Sequence, residues 1–310
     1  MVSASGSSIS SEGRADKMAA EAMLARVYMT LAGSPYNDSN AKSLAKTQLE
    51  NILNYSVANG DKYWAPTLDE WRKQWMPSTD YYNKYSIFAI QHRTNENRNY
   101  LIFNFSPGLP PSYTSRRIFG NSIWVEKTLE YEFERTFSNG KKDGRGVGFT
   151  TLEGYEEEPN YPAYTNDREN VILEDGMTVE VYTKTMFYKY LPSKPKLAEL
   201  GMSFDESSMA GDYDWPVNFP ILRLEDMMLL YAELLADEGN VAEAMYYVNK
   251  IRERAGCDPE TASTSADALR LIKRERRVEL AGEGIRWFDL VRYGEWQSAI
   301  TRMFDNYNNP

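Results

Sequence analysis

Three glutamates near the C-terminus are spaced as a helix would place carboxylates for chemistry or for ion pairing. Glu275, Glu279 and Glu283 recur every four residues and therefore share one helical face. Two carboxylates can hydrolyse a glycoside when they flank the sugar. Carboxylates on one helix do not flank a ligand, and guanidinium neighbours lower the pKa that a general acid needs to be high. We therefore expect a structural ion-pair network with these members: Glu275, Arg276, Glu279, Glu283, Arg286, Asp289 and Arg292.

The single histidine and the single cysteine argue against a zinc site and an internal disulfide. One histidine, His92, cannot build a multi-histidine zinc site, and one cysteine, Cys257, cannot form an internal disulfide. The three glutamates at 156–158 lack the ligand spacing of a calcium loop and indicate a solvated charge cluster. We predict no catalytic residue and no cofactor, and calcium stays an unsupported alternative.

The charge balance bears on the partners that the chain can bind. It carries 35 Lys and Arg against 45 Asp and Glu, for a formal net charge of −10. Binding to nucleic acid requires a basic face, and this balance argues against one. No apolar run reaches the roughly 18 residues of a membrane span. Residues 1–13 are small and polar, lack the regions of a secretory signal, and are interpreted as a flexible leader.

Aromatic side chains are the main candidates for ligand binding. Phe, Trp and Tyr make up 13% of the chain, and tyrosine is the most frequent of them. An exposed ring can stack on the apolar face of a sugar while polar neighbours bond the hydroxyl edge. The candidate platforms are Trp71, Trp75, Tyr81, Tyr82, Tyr113, Tyr155, Tyr161 and Tyr164. The candidate polar partners are Arg116, Asn160, Asn166 and Asp167.

Helices at the two ends of the chain must position these residues. Apolar residues and alanines recur there at helical spacing, and Asn59-Gly60 marks a helix end. The predicted helices cover 14–31, 41–57, a hairpin at 224–255, 265–281 and 285–304. The hairpin is close in length to a tetratricopeptide repeat. Trp287 falls in the last amphipathic helix, so we expect it in the core.

The segment between these helices has a different pattern. Runs rich in β-branched and aromatic residues predict strands at 99–105, 123–133 and 178–190. The glycine-rich run 140–148 lacks the spacing of a phosphate-binding loop and indicates a mobile turn. The predicted fold class is mainly α, with tetratricopeptide-like helical hairpins at both ends and an irregular middle containing short strands and long loops.

Three motifs in the last third are similar to lines typical of one family. The first is DWPV at 214–217, followed by PILRLEDM at 220–227. The second is VNKIRERAG at 248–256. The third is IKRERRVEL at 272–280, continued by EGIRWFDLVRYG at 283–294. Together they resemble the SusD/RagB family of outer-membrane glycan-binding lipoproteins, and the first predicted helix is similar to a helix of that family.

The resemblance implies a fold, a function and a location. It implies a SusD-like α–α superhelix that captures oligosaccharides without catalysis and delivers them to a SusC-like TonB-dependent transporter. It also implies a lipid anchor at the cell surface of the outer membrane, although the signal and the lipidated cysteine are absent from this chain. Family members are longer at the N-terminus, so we expect that portion to be missing. Asp143-Gly144-Arg145 resembles an Asp-x-Arg element of the family, expected to be a structural salt bridge.

The expected organisation is one compact unit with four segments. These are a leader at 1–13, tetratricopeptide-like helices at 14–60, a variable ligand-binding segment at 61–214, and the SusD/RagB helical region at 215–310. Two other functions stay open. One is a tetratricopeptide-type scaffold for protein partners that binds no sugar. The other is a glycosidase, which requires two carboxylates about 5 to 10 Å apart across a cleft.

Overall fold

The computed structural model describes ten helices and six short strands. It describes residues 14–77, 84–96, 99, 109–116, 124–146, 148–152, 168–173, 175–182, 185–212 and 214–308. The helices are α1 (Lys17–Ala32), α2 (Ser39–Ala58), α3 (Leu68–Lys73), α4 (Lys127–Glu134), α5 (Lys194–Glu199), α6 (Leu224–Asp237), α7 (Val241–Arg254), α8 (Ser265–Glu279), α9 (Arg286–Tyr293) and α10 (Trp296–Asn308). The strands are β1 (Ser86–Ile90), β2 (Thr151–Leu152), β3 (Arg168–Ile172), β4 (Thr178–Tyr182), β5 (Met186–Phe187) and β6 (Phe219–Arg223). The prediction of a mainly helical fold is confirmed.

Aspartate caps determine where the first two helices begin. The Asp16 carboxylate accepts a hydrogen bond from the backbone N–H of Ala19 at 2.9 Å, and Asp38 accepts one from Asn40 at 2.9 Å. Each helix therefore begins at the residue after its cap. The predicted end of α2 is confirmed, because Gly60 follows the helix with a φ of +72° that glycine adopts readily.

Helix α6 is the centre of the helical scaffold. It is buried along nearly its whole length and contacts α1, α2, α7 and α8. A helix that is buried on all sides is usually apolar all round. In α6 the charged exceptions Glu225, Asp226 and Glu233 each form an ion pair with an arginine. Ala25 of α1 and Ala45 of α2 are fully buried in the same core. Their small side chains let the helix backbones approach closely.

The middle of the chain builds a second apolar core. Its members include Trp71, Trp75, Phe149, Tyr190 and Trp215. Among the described residues, the strands form three antiparallel pairs: β1 with β6, β2 with β5, and β3 with β4. The β1–β6 pair joins this region to the scaffold, since β6 leads directly into α6.

The strand predicted at 123–133 is wrong, because most of it forms helix α4. The Glu126 carboxylate caps this helix, accepting from the backbone N–H of Thr128 at 3.1 Å and of Leu129 at 3.2 Å. Leu129 and Phe133 lie one helical turn apart and pack against Val278 of α8. Their four-residue spacing is helical. The strand predicted at 178–190 is confirmed in part by β4 and β5, and nearly all of 99–105 lies outside the described residues.

Glycines account for two further differences from the predictions. The single helix predicted at 285–304 is two helices, separated at Gly294, whose φ is +71°. The run 140–148 is not a mobile turn, because Asp143 and Arg145 are buried in it. A Cβ on Gly144 would lie 2.3 Å from Cδ2 of Leu68, so this backbone packs directly against α3.

Candidate functional site

The three predicted glutamates belong to a buried ion-pair cluster, here called the central network. Its five cations are Arg145, Arg223, Arg252, Arg254 and Lys189, and its five anions are Asp143, Glu225, Glu275, Glu279 and Glu283. The equal numbers of opposite charges allow all ten side chains to be buried together. The prediction that the glutamates pair with Arg276, Arg286 and Arg292 is therefore wrong in its partners. Glu283 also lies beyond the end of α8, in the turn that follows.

Glu279 is the hub of the central network. Its carboxylate accepts from Arg145 at 2.8 Å, Arg223 at 2.8 Å and Arg254 at 2.7 Å, and from Nε1 of Trp71 at 2.9 Å. Burial alone would raise the pKa of this carboxyl, but the three guanidinium groups outweigh burial and hold its pKa well below the ordinary value. A carboxylate that stays ionised and has no contact with solvent cannot serve as the acid of a glycosidase.

The predicted Asp143-Gly144-Arg145 element is part of this network. Arg145 donates to Asp143 at 2.6 Å across a buried salt bridge, and its Nη1 also donates to Glu275 at 2.5 Å. Burial alone would raise the pKa of the Asp143 carboxyl, whereas Arg145 lowers it, and the lowering prevails. This element therefore connects the middle of the chain to helix α8.

The other predicted charged residues form a second cluster, here called the α9 network. It contains Arg26, Arg276 and Arg292 with Asp226, Glu233 and Asp289. Arg292 donates to Glu233 at 2.5 Å, and Arg276 donates to Asp226 at 2.8 Å. These pairs hold α9 against α6 and α8. Arg286 instead lines a surface cleft described below.

Trp71 and Trp75 do not form sugar platforms, because both are completely buried. They lie in the second core, where Trp71 contacts Phe149 and Trp75 contacts Tyr190, with ring centroids 5.7 Å and 5.4 Å apart. The Lys189 ammonium lies 4.1 Å from the centroid of Trp75. The predicted role of both tryptophans is therefore wrong.

The structure describes two other predicted ligand-binding residues, Tyr113 and Arg116. Tyr113 is half-buried and packs edge-to-face on Tyr188, with 6.2 Å between ring centroids. Arg116 donates to the backbone carbonyl oxygen of Met209 at 2.9 Å and to that of Glu206, so its guanidinium holds the loop together. The remaining candidates, and the acidic run 156–158, lie outside the described residues: Tyr81, Tyr82, Tyr155, Tyr161, Tyr164, Asn160, Asn166 and Asp167.

Trp287 lies at the surface, and the prediction that it belongs to the core is wrong. Its side chain is 52% exposed, and it packs edge-to-face on Trp296 with ring centroids 6.1 Å apart. Asp289 and Arg292 occupy the buried face of α9. Because these ion-paired residues take the inner face, Trp287 and the neighbouring Phe288 point outward.

Trp287 lines a concave surface, here called the aromatic cleft, that the predictions missed. The cleft has a volume of about 380 Å³. Its largest apolar lining residues are Trp124, Phe187, Trp287 and Met303, and its outer charged residues are Glu126, Arg277, Arg286 and Arg302. Trp124 is 40% exposed. Exposed rings beside charged side chains are the combination that binds sugars, by stacking on the ring face and bonding the hydroxyl edge.

Local contacts position both sides of the aromatic cleft. Trp124 forms an isolated antiparallel bridge with Met186. Arg277 donates to Glu126 and, at 2.7 Å, to the hydroxyl of Thr128. The same Glu126 that caps α4 therefore also orients an arginine at the cleft. In the sequence, the only sign of this site is a tryptophan beside charged residues. Trp124 lies in a segment predicted to be a strand, and Trp287 in a helix expected to turn it toward the core.

The described part of the chain contains neither a metal-binding cluster nor a membrane-spanning helix. There, no group of three or more His, Cys, Asp or Glu side chains is arranged to hold a metal ion. None of the described helices combines the length and apolar character needed to cross a bilayer.

Comparison with known proteins identifies relatives that match nearly the full length of this chain in sequence or in structure. The SusD-like protein P38 of Formosa agariphila is 27% identical over 303 residues, covering 92% of this chain and 53% of that protein. A SusD homolog from Bacteroides thetaiotaomicron superposes with a TM-score of 0.70 at 18% identity, covering 96% of this chain and 56% of that one. A crystal structure with xylogluco-oligosaccharide superposes with a TM-score of 0.62 at 22% identity, covering 96% and 55%.

Each of these relatives is longer than the present chain, which spans about half the length of the curated relative P38. The structural likenesses, at these identities, establish the shared fold. The family is established by sequence, since the model of the SusD family matches residues 54–309. This chain belongs to the SusD family.

Proposed function

We propose that this protein is a non-catalytic glycan-binding protein that captures oligosaccharides at the cell surface. In this proposal it delivers them to a partner TonB-dependent transporter of the SusC type in the outer membrane, and a lipid anchor holds the full-length protein there. The proposal rests on membership of the SusD family. It is supported by the structurally similar chain that was crystallised with xylogluco-oligosaccharide.

The proposed mechanism is stacking and hydrogen bonding on a largely pre-formed surface. A rigid site loses little conformational entropy when a sugar binds, which favours affinity. A polysaccharide offers many equivalent sites, so that weak individual contacts add to an effective capture. The aromatic cleft is one candidate contact surface, together with the half-buried Tyr113 and the predicted residues outside the described ranges.

The burial and ion pairing of the three glutamates support the proposal that the protein is not catalytic. Glu275, Glu279 and Glu283 are buried and ion-paired, with no more than 8% exposure in any of them. A glycosidase needs one carboxyl that can hold and release a proton beside the substrate. Burial keeps all three away from a substrate, and in Glu279 the three guanidinium groups also hold the pKa well below the ordinary value.

The test is a calorimetric titration of the protein with a panel of soluble polysaccharides, followed by analysis of products in each mixture. Xyloglucan, starch and galactomannan provide neutral members. We expect binding of at least one polysaccharide with no release of shorter products. Release of shorter products would contradict a capture role, and binding of peptides in place of any polysaccharide would favour the scaffold alternative.

A further inference from the structure

The aromatic cleft continues into a larger cavity of about 710 Å³, here called the cationic cleft. The two share six lining residues, which are Thr128, Arg277, Arg286, Leu290, Ala299 and Arg302. A ligand seated on Trp287 would therefore extend directly between helices α8 and α10. The two clefts form one continuous surface with an aromatic end and a basic end.

The charge of the cationic cleft is opposite to that of the chain. Its basic lining residues are Arg270, Lys273, Arg274, Arg277, Arg286 and Arg302, and its acidic lining residues are Glu132, Asp175 and Glu295. Among the described residues, charged partners just outside the lining reduce this excess without reversing it. Including Glu126, Glu260 and Arg135 gives seven positive charges against five negative ones. The chain as a whole carries −10, so this surface is a local exception.

Helix α8 supplies a regular row of the basic residues. Arg270, Lys273, Arg274 and Arg277 occupy positions i, i+3, i+4 and i+7, which lie along one face of a helix. Specific contacts hold parts of this row in place, since Lys273 donates to Glu295 at 2.5 Å and Arg274 pairs with Glu260. Arg302 of α10 lines the facing side of the cleft. Guanidinium groups in such an array can bond carboxylate or sulfate oxygens in pairs.

We propose that the two clefts together bind an acidic saccharide, one that carries carboxylate or sulfate groups. This inference rests on the proposed glycan-binding function and specifies its substrate class. The rings of Trp287 and Trp124 stack on the sugar, and the arginines of the cationic cleft bond its acidic groups. Stacking selects a saccharide over a simple anion, and the positive potential selects an acidic saccharide over a neutral one.

The test compares polymers that differ only in charge. Calorimetric titrations use polygalacturonate against carboxyl-reduced polygalacturonate, and dextran sulfate against dextran. We expect the charged member of at least one pair to bind about tenfold more tightly, as charge-assisted hydrogen bonds allow. The pair that shows this difference identifies carboxylate or sulfate as the group recognised. Binding should weaken as salt is added.

Variants locate the interaction. The double variant Arg270→Gln/Arg302→Gln should lose about tenfold in affinity for the acidic polymer. The matched control Arg14→Gln/Arg93→Gln removes two positive charges elsewhere on the surface and should change affinity by less than about threefold. Trp287→Ala should also weaken the binding of the acidic polymer. Circular dichroism melts establish that each variant is folded.

The remaining outcomes separate this inference from the proposed function. If charged and uncharged members of both pairs bind equally, and the arginine variant is unaffected, acidic recognition is overturned while glycan binding stands. If the protein binds neither these polymers nor the neutral panel, both proposals fail. If acidic polymers bind but Trp287→Ala has no effect, the surface is a general polyanion or acidic-protein contact, and saccharide recognition is overturned.

Discussion

The central network and the aromatic cleft draw on the same stretch of sequence, 272–294, but they use its residue types in opposite ways. Glu275 and Glu279 are buried, with at most 1% exposure, whereas Trp287 of the cleft is 52% exposed, and Phe288 beside it, outside the cleft, is 63% exposed. Ordinary hydropathy would place the aromatics inside and the glutamates outside. The difference arises because charged residues take the inner positions. Five cations neutralise five anions in the central network, and Asp289 and Arg292 of the α9 network occupy the buried face of α9.

The comparison separates structural from binding roles. Buried ion pairs add little net stability relative to a well-packed apolar core, but removing one partner leaves an uncompensated charge and is costly. Single substitutions in the central network should therefore destabilise the fold, and its buried residues are unavailable to a ligand. Trp124 and Trp287 are 40% and 52% exposed, so their rings are available to one. Substitutions should affect stability in the first region and binding in the second.

The largest effect is expected from breaking the central network at Arg223. This guanidinium is fully buried and pairs with Glu225, Glu279 and Glu283. Arg223→Met should lower the free energy of unfolding by about 3–5 kcal/mol, because three carboxylates lose a buried partner. Urea denaturation measures this change. The control Arg93→Met removes an exposed pair with Glu96 and should cost about 0.5 kcal/mol, so equal effects of the two substitutions would refute the distinction.

Two tryptophans place the same side chain in a buried and in an exposed region. Trp71→Ala should lower the free energy of unfolding by about 3–5 kcal/mol, because it opens a cavity in the second core and leaves Glu279 without one donor. Trp287→Ala should change stability by about 0.5–1 kcal/mol but weaken glycan binding. Thermal melts and titrations of both variants measure the contrast. A Trp287→Ala variant as unstable as Trp71→Ala would show that Trp287 is a core residue.

A smaller effect than that of Arg223→Met or Trp71→Ala concerns pH and the α9 network. Burial alone would raise the pKa of the Asp226 carboxyl, but Arg26 and Arg276 outweigh burial and lower this pKa from 3.8 to about 2. The folded protein therefore holds this proton less tightly than the unfolded chain does. The resulting stability is fully present above about pH 4 and is lost as the pH falls through about 2, amounting to about 2 kcal/mol.

Urea titrations between about pH 5 and pH 2 measure this dependence. Asp226→Asn cannot titrate, so this variant should start less stable and lose less of its stability on acidification. The same acid loss in the variant and in the unaltered protein would show that Asp226 does not contribute.

The sequence predicts the scaffold better than it predicts the site, for a physical reason. Helical stripes such as those of α2 and α6 are local patterns, and burying them fixes where the helices pack. The salt bridge of Asp143-Gly144-Arg145 is implied by the resemblance to the family. The partners within the central network cannot be predicted from the sequence, because Glu279 meets Arg145 and Arg223 only after distant segments have packed together.

The sequence does not predict which aromatic side chains are exposed to solvent. Trp71 and Trp287 both lie in helices beside charged residues, and yet one is fully buried and the other half exposed. What decides their environment is which residues occupy the inner face of each helix. In α9 that face belongs to Asp289 and Arg292, which an apolar pattern does not reveal.

The most direct test of the account is the affinity of the Trp124→Ala/Trp287→Ala double variant for whichever polysaccharide the panel identifies. We expect a loss of about tenfold or more, from two stacking contacts of about 1 kcal/mol each, in a protein that stays folded and melts only a few degrees lower. Tyr246→Ala, which removes another exposed ring on α7, serves as the control and should bind normally. Unchanged affinity in the folded double variant would contradict a binding role for the aromatic cleft.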